Sequence, residues 1–154
     1  MIVVSDTSSI SALLRIDQCG LLAQIYGKVI IPKAVEAELL RRFDPLPGFL
    51  QCFQASNPSA VRQLCQELDL GEAEAIVLAR ELGADILLMG EANGRAVAMR
   101  EHIPLIGLIG VLLLAKRQGL IQSVDQTIRQ LETEANFRLS SDIKQTALKS
   151  AGEL

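Results

Sequence analysis

Three acids from distant parts of the chain could do metal-assisted chemistry. Asp6 follows the β-branched run Ile2-Val3-Val4, Glu38 lies in "KAVEAELL", and Glu72 opens "GEAEAIVLAREL". Each also has a structural reading. Asp6 suits the N-cap of a helix beginning near Ser8 or Ser9, and Glu72 and Glu74 suit the first turn of a helix, where negative charge complements the dipole. Glu36 and Glu38 suit a solvated helix face. Glu38 stands three residues from Val35, close to the buried stripe that Val35 and Leu39 define; Glu36 points further round and is read as solvated. Glu72 lines up with Ile76 and Ala79 and so faces inward, where a carboxylate without a partner is costly. A metal ion or a shared proton would resolve that cost. Hard oxygen donors without His or Cys clusters suit Mg²⁺ or Mn²⁺ rather than Zn²⁺. Such an ion lowers the pKa of a bound water and stabilises charge developing at a phosphodiester phosphorus.

A fourth place of interest is "LLMGEANGR", residues 87–95. It lacks the glycine spacing and the Lys-Ser/Thr pair of a phosphate-binding loop. Arg95 has two readings, a phosphate contact or an ion pair with Glu91 four residues earlier. His102, the single histidine, reads as a cap at a helix end, and no Ser-His-Asp or Cys-His arrangement surrounds it in sequence. Gly107 and Gly110 read as permitting close helix packing.

The elements that must position these residues alternate. Strands are expected at residues 2–4, 28–31, 85–89 and 104–106. Helices are expected from about residue 8, at 18–26, from 33, at 59–68, 71–82, 93–101 and 107–118, with two amphipathic helices after Val124. "FDPLPGF", residues 43–49, is loop chemistry. Strands alternating with helices predict an α/β sandwich with a mostly parallel sheet, in which ligands sit outside the carboxyl ends of the strands. Asp6 and the turn after Met89 fall at such ends.

Composition narrows the classes. At 154 residues and 49% hydrophobic, the chain can bury one sizeable core and is not disordered. With 3% aromatics and no Trp, it is not a module that stacks bases on aromatic platforms. A net charge of −3 excludes a broad positive field, so a nucleic-acid substrate needs a local basic patch or a metal ion. Cys19, Cys52 and Cys65 are odd in number and widely spaced, which fits neither a disulfide framework nor a zinc site and points to a reducing cytoplasm. "MIVVSD" has no basic leader region. The apolar run 103–115 is too short to span a bilayer and reads as buried.

"VVSDTSSISALLRI", "VIIPKAVEAELL", "LGEAEAIVLARELGADILLM" and "IPLIGLIGVLLLAKRQGLI" occur in one order and spacing. Together they resemble the PIN-like fold, most closely a bacterial and archaeal PIN-like family related to the VapC-type toxin ribonucleases. The resemblance covers roughly residues 1–122, and "LKSAGEL" is similar to that family's closing helix. It implies a three-layer α/β/α sandwich and a Mg²⁺- or Mn²⁺-dependent endoribonuclease site. By this match the family's acids fall on Asp6, Glu38 and Glu72, with Ser8 as a supporting hydroxyl. The fourth acid, after the "LL(L/M)" strand, falls on Gly90, which offers no ligand. Glu91 and Asn93 are the neighbours that could compensate. The implied partners are RNA, a small antitoxin protein and a second copy of the chain in a homodimer. Two functional expectations follow: a metal-dependent ribonuclease of a toxin–antitoxin pair, or a catalytically impaired relative that binds RNA or protein. A third reading, in which the acids are only caps and solvated faces, predicts no divalent-ion binding.

Overall fold

A computed structural model describes residues 1–154. The chain runs β1 (Val3–Ser5), α1 (Thr7–Arg15), α2 (Gly20–Tyr26), β2 (Val29–Pro32), α3 (Lys33–Leu40), β3 (Leu50–Phe53), α4 (Pro58–Leu64), α5 (Leu70–Leu82), β4 (Ile86–Leu88), α6 (Ala92–Arg100), β5 (Leu105–Ile106), α7 (Leu108–Arg117), α8 (Val124–Glu134) and α9 (Ser141–Ser150). The sheet is five-stranded and wholly parallel, in the order β3-β2-β1-β4-β5. Helices cover both faces, giving the parallel α/β sandwich expected from the alternation of elements and the three α/β/α layers that the resemblance implies.

Side-chain alternation along the strands sends residues to two cores. Val3, Val29, Ile31 and Leu88 face a core shared with α1, α2, α3, α7 and α8. Val4, Leu87 and Met89 face a second core shared with α4, α5 and α6. Because both faces are covered, the central strands read as continuous apolar runs instead of alternating ones. α5 lies across β1, β2 and β4, and Ala73, Ala75 and Ala79 are buried there, small enough to let the helix approach the sheet.

One element departs from the expectation. Residues 50–53 form β3, which extends the sheet to five strands, pairing with β2 from Val29↔Leu50 to Pro32↔Phe53. It is an edge strand whose side chains are half-buried or exposed, so no clean alternation marks it. Pairing with β2, not its own pattern, makes it a strand.

The apolar run after residue 103 is buried as expected, and no helix is long and apolar enough to cross a membrane. Gly110 does permit close packing: a Cβ there would stand 2.7 Å from Ile106 Cγ1. The chain's end is fastened back on the fold. Glu153 accepts hydrogen bonds from the Val124 and Asp125 amides at the start of α8 and from Lys116 Nζ at the end of α7.

Candidate active site

β1 is buried along its length and delivers Asp6 to the carboxyl end of the sheet, where Asp6 caps α1. The side chain is held by three donors and the residue is only 2% exposed. Asp6 Oδ1 accepts from the Ser9 amide at 3.3 Å, and Oδ2 accepts from the Ser8 hydroxyl at 3.2 Å and from the Gly90 amide at 3.0 Å. Burial pushes the carboxyl above the ordinary aspartate range; the Gly90 and Ser9 amides and the Ser8 hydroxyl offset part of this.

Gly90 therefore gives the site a backbone donor where the resemblance places an acid. A Cβ on it would stand 3.0 Å from Ser8 Oγ and 3.5 Å from Ser9 Oγ. The first turn of α1 closes against the end of β4 because that Cβ is missing.

Glu72 is the third residue of α5 and forms a reciprocal pair with Asp69, the N-cap. Its amide donates to Asp69 Oδ1 at 2.8 Å, and the Asp69 amide donates to Glu72 Oε1 at 3.2 Å. The helix-start reading of Glu72 is thus correct for one oxygen. Oε2 is directed elsewhere, 3.2 Å from where a Cβ on Gly94 would stand. Burial, and then the charges of Asp69, Glu91 and Asp6, push the Glu72 carboxyl above its usual range, against the Asp69 amide bond that lowers it. Glu38 reaches the same region from α3, its Oε1 2.7 Å from the position of a Cβ on Gly71. The "GEAEA" glycine thus lets Glu38 close on the start of α5.

These groups line one open groove of about 870 Å³ at the carboxyl end of the sheet. Asp6, Ser8, Glu38, Glu72, Gly90, Glu91 and Asn93 all border it, and so does Asp69. A family model of the PIN domain matches residues 2–153. The chain belongs to the PIN domain family. No curated protein and no solved structure matches it.

In this PIN domain some expected residues stand elsewhere. Arg95 neither borders the groove nor pairs with Glu91; its Nη1 donates to the Met89 carbonyl at 2.9 Å and lies against Gly107. The strand-end carbonyl, with no continuing strand to serve, is the better partner for a half-buried guanidinium than an exposed carboxylate. Glu36, read as solvated, keeps partial exposure. It is half-buried beside Cys52 of β3, an element absent from the expected fold; burial and then the Glu36 charge push the Cys52 thiol up. Glu74 binds the Ala34 amide at the start of α3. His102 is exposed in the turn after α6, with φ +59°.

Sequence reasoning missed Asp69, Arg15 and Arg138, which also border the groove. Asp69 was detectable, because D-x-x-E before an apolar run is a capping-box spacing. The two arginines carried no local signal.

The PIN domain's acids fit a divalent cation by chemistry. All are hard oxygen donors, and a cation would relieve both the burial of Asp6 and the mutual repulsion of Asp6, Asp69 and Glu91 with Glu72. They are not a preformed cage: no three His, Cys, Asp or Glu side chains are gathered closely enough to hold an ion as they stand.

Proposed function

We propose that this PIN domain is a Mg²⁺- or Mn²⁺-dependent endoribonuclease, the toxin of a toxin–antitoxin pair, with Asp6, Glu38 and Glu72 as the residues that hold the ion. The observation that carries the reading is the meeting of Asp6 and Glu72, two buried acids from different elements, on one groove, where burial chiefly and the Asp6 charge in part raise the cost of ionising Glu72. Buried carboxylates with no cation beside them are costly to ionise, and their grouping at a strand-end groove is a mark of function. The ion, when bound, would supply an activated water and stabilise charge on the phosphorus. The chain's own groups do the positioning. The Gly90 amide and Ser8 hydroxyl fix Asp6, Asp69 fixes one oxygen of Glu72, and Glu91 adds negative charge at the mouth.

The test is cleavage of a long unstructured RNA by highly purified protein, with EDTA, Mg²⁺ and Mn²⁺ in parallel, beside Asp6→Asn. Metal-dependent cleavage lost in Asp6→Asn is the expected result. Equal cleavage by Asp6→Asn under titrated metal refutes the proposal.

Gly90 favours a second reading, an impaired PIN domain that binds without cutting, because an amide replaces a ligand there. Under it the wild type is inactive and Gly90→Asp gains activity. The new Cβ crowds Ser8 Oγ, so the comparison includes Gly90→Asp with Ser8→Ala, in which that clash is removed.

A further inference from the structure

The groove has two chemically different ends. Acids gather where β1 and β4 stop, but the wall continues along α1 through Ser8, Ser11, Ala12 and Arg15, one face of the helix at spacings of three and four. At 1.5 Å per residue, Arg15 stands about 13 Å along α1 from Asp6. The segment between α8 and α9 also borders the groove, with Asn136, Phe137 and Arg138. It reaches the groove because α8 packs against α1.

Neither arginine is used by the fold. The ion pairs of the molecule involve Arg80, Arg100, Lys116, Arg129 and Lys144, not Arg15 or Arg138. Arg138 has only a long contact to Asn136 Oδ1, at 3.5 Å. Its backbone is nevertheless fixed. Asn136 takes a left-handed φ of +52°, and Phe137 packs on the core while its amide donates to the Leu131 carbonyl at 3.1 Å. Asparagine takes this left-handed turn more readily than other non-glycine residues, and the turn leads into Arg138, which borders the groove that Arg15 also borders.

We propose that Arg15 and Arg138 form a phosphate clamp for a single-stranded RNA, which lies along α1 with one phosphate at the acids and another between the two arginines. The span of about 13 Å corresponds to roughly four stacked nucleotides, fewer in an extended strand. Guanidinium groups suit this because their planar donors match phosphate oxygens. The clamp also explains how a chain of net charge −3 holds a polyanion: attraction is local and separated from the acids. This rests on the nuclease reading for the acid end only, and binding without metal separates the two.

The experiment is fluorescence anisotropy of a short fluorescein-labelled oligouridylate in EDTA, over a series of salt concentrations. It compares wild type, Arg15→Gln/Arg138→Gln, Arg15→Lys/Arg138→Lys, and Arg117→Gln/Lys149→Gln, which removes two charges away from the groove. Each phosphate contact on a single strand contributes about 0.7 to the slope of log K against log salt. Loss of two should reduce the slope by about 1.4 and weaken binding roughly ten- to thirtyfold near 0.1 M salt. The lysine pair should retain most of the binding and the distant pair nearly all. Equal weakening by the distant pair, unchanged binding by the groove pair, or no binding by wild type overturns the clamp. Wild-type binding through the arginines without metal-stimulated cleavage leaves the clamp standing and removes the nuclease. Cleavage with arginine-independent binding does the reverse.

Discussion

Glu153→Gln tests the lock that holds the last two helices, and with them the wall bearing Arg138. Glu153 Oε2 accepts from the Val124 amide at 2.6 Å and from Lys116 Nζ at 3.0 Å; Oε1 accepts from the Asp125 amide at 3.0 Å and the Ser123 hydroxyl at 3.2 Å. The carboxylate therefore caps α8 from outside the helix, where its charge also meets the helix dipole. Partial burial disfavours the charged form, but the Asp125 and Val124 amides and the Lys116 ammonium outweigh it and hold the carboxyl at about 2 against an ordinary 4.5. At 1.36 kcal/mol per pH unit, that drop has a ceiling of about 3.4 kcal/mol. Water reaches the head group and Lys116, which are 14% and 28% exposed. Screening leaves about 1–2 kcal/mol. Glutamine keeps the shape, removes the charge and turns one accepting oxygen into a donor. The variant should melt about 3–6 °C lower at pH 7.

The pH dependence is the sharper readout. A carboxyl whose pKa is depressed by folding stabilises the fold above its unfolded pKa and loses that contribution as pH falls toward the folded value. The difference between wild type and Glu153→Gln should be full above about pH 5.5 and more than half gone by pH 3. Urea denaturation of both proteins across that range measures it, and other carboxyls cancel in the difference. A difference that stays constant from pH 7 to pH 3, or none at pH 7, would refute the assignment.

Two other substitutions probe the acid end. Asp69→Ala removes the side-chain cap of the Glu72 amide, leaves the backbone amide that holds Glu72 Oε1, and loosens the first turn of α5 that carries Glu72; it should cost about 1 kcal/mol in urea denaturation and lower metal-stimulated cleavage more than RNA binding in EDTA. Glu72 titrates in the opposite sense from Glu153. Its raised pKa favours the neutral acid, so its contribution is present below the ordinary 4.5 and lost as pH rises through the folded value. In EDTA, Glu72→Gln should gain stability relative to wild type from pH 4 to pH 7, measured by paired urea melts; a saturating divalent cation should shrink the gap at pH 7 by stabilising wild type.

Much of the acid end was legible in the chain because its determinants are local. A β-branched run followed by Asp-Thr-Ser-Ser places an acid at a strand end and a helix start together, and Glu72 faces inward by helical spacing alone. Two buried faces are implied by the apolar runs of β1 and β4. What stayed hidden depends on contacts between distant segments. β3 is a strand because β2 offers it a ladder. Glu36 is half-buried because β3 is there. Arg95 turned to the Met89 carbonyl, a partner no helical spacing rule includes. Gly90 reads in sequence as a missing acid; only packing reveals that its amide binds Asp6 and that its missing Cβ admits Ser8. Arg15 and Arg138 face one groove because α8 docks on α1, an arrangement decided by core packing rather than by either neighbourhood. The sequence by itself determined the helices, four of the five strands and the acid at the end of the first strand, since propensity, periodicity and capping act over a few residues. The tertiary structure alone decided which charges share a groove and which are taken up by the fold, since electrostatics and close packing act through space.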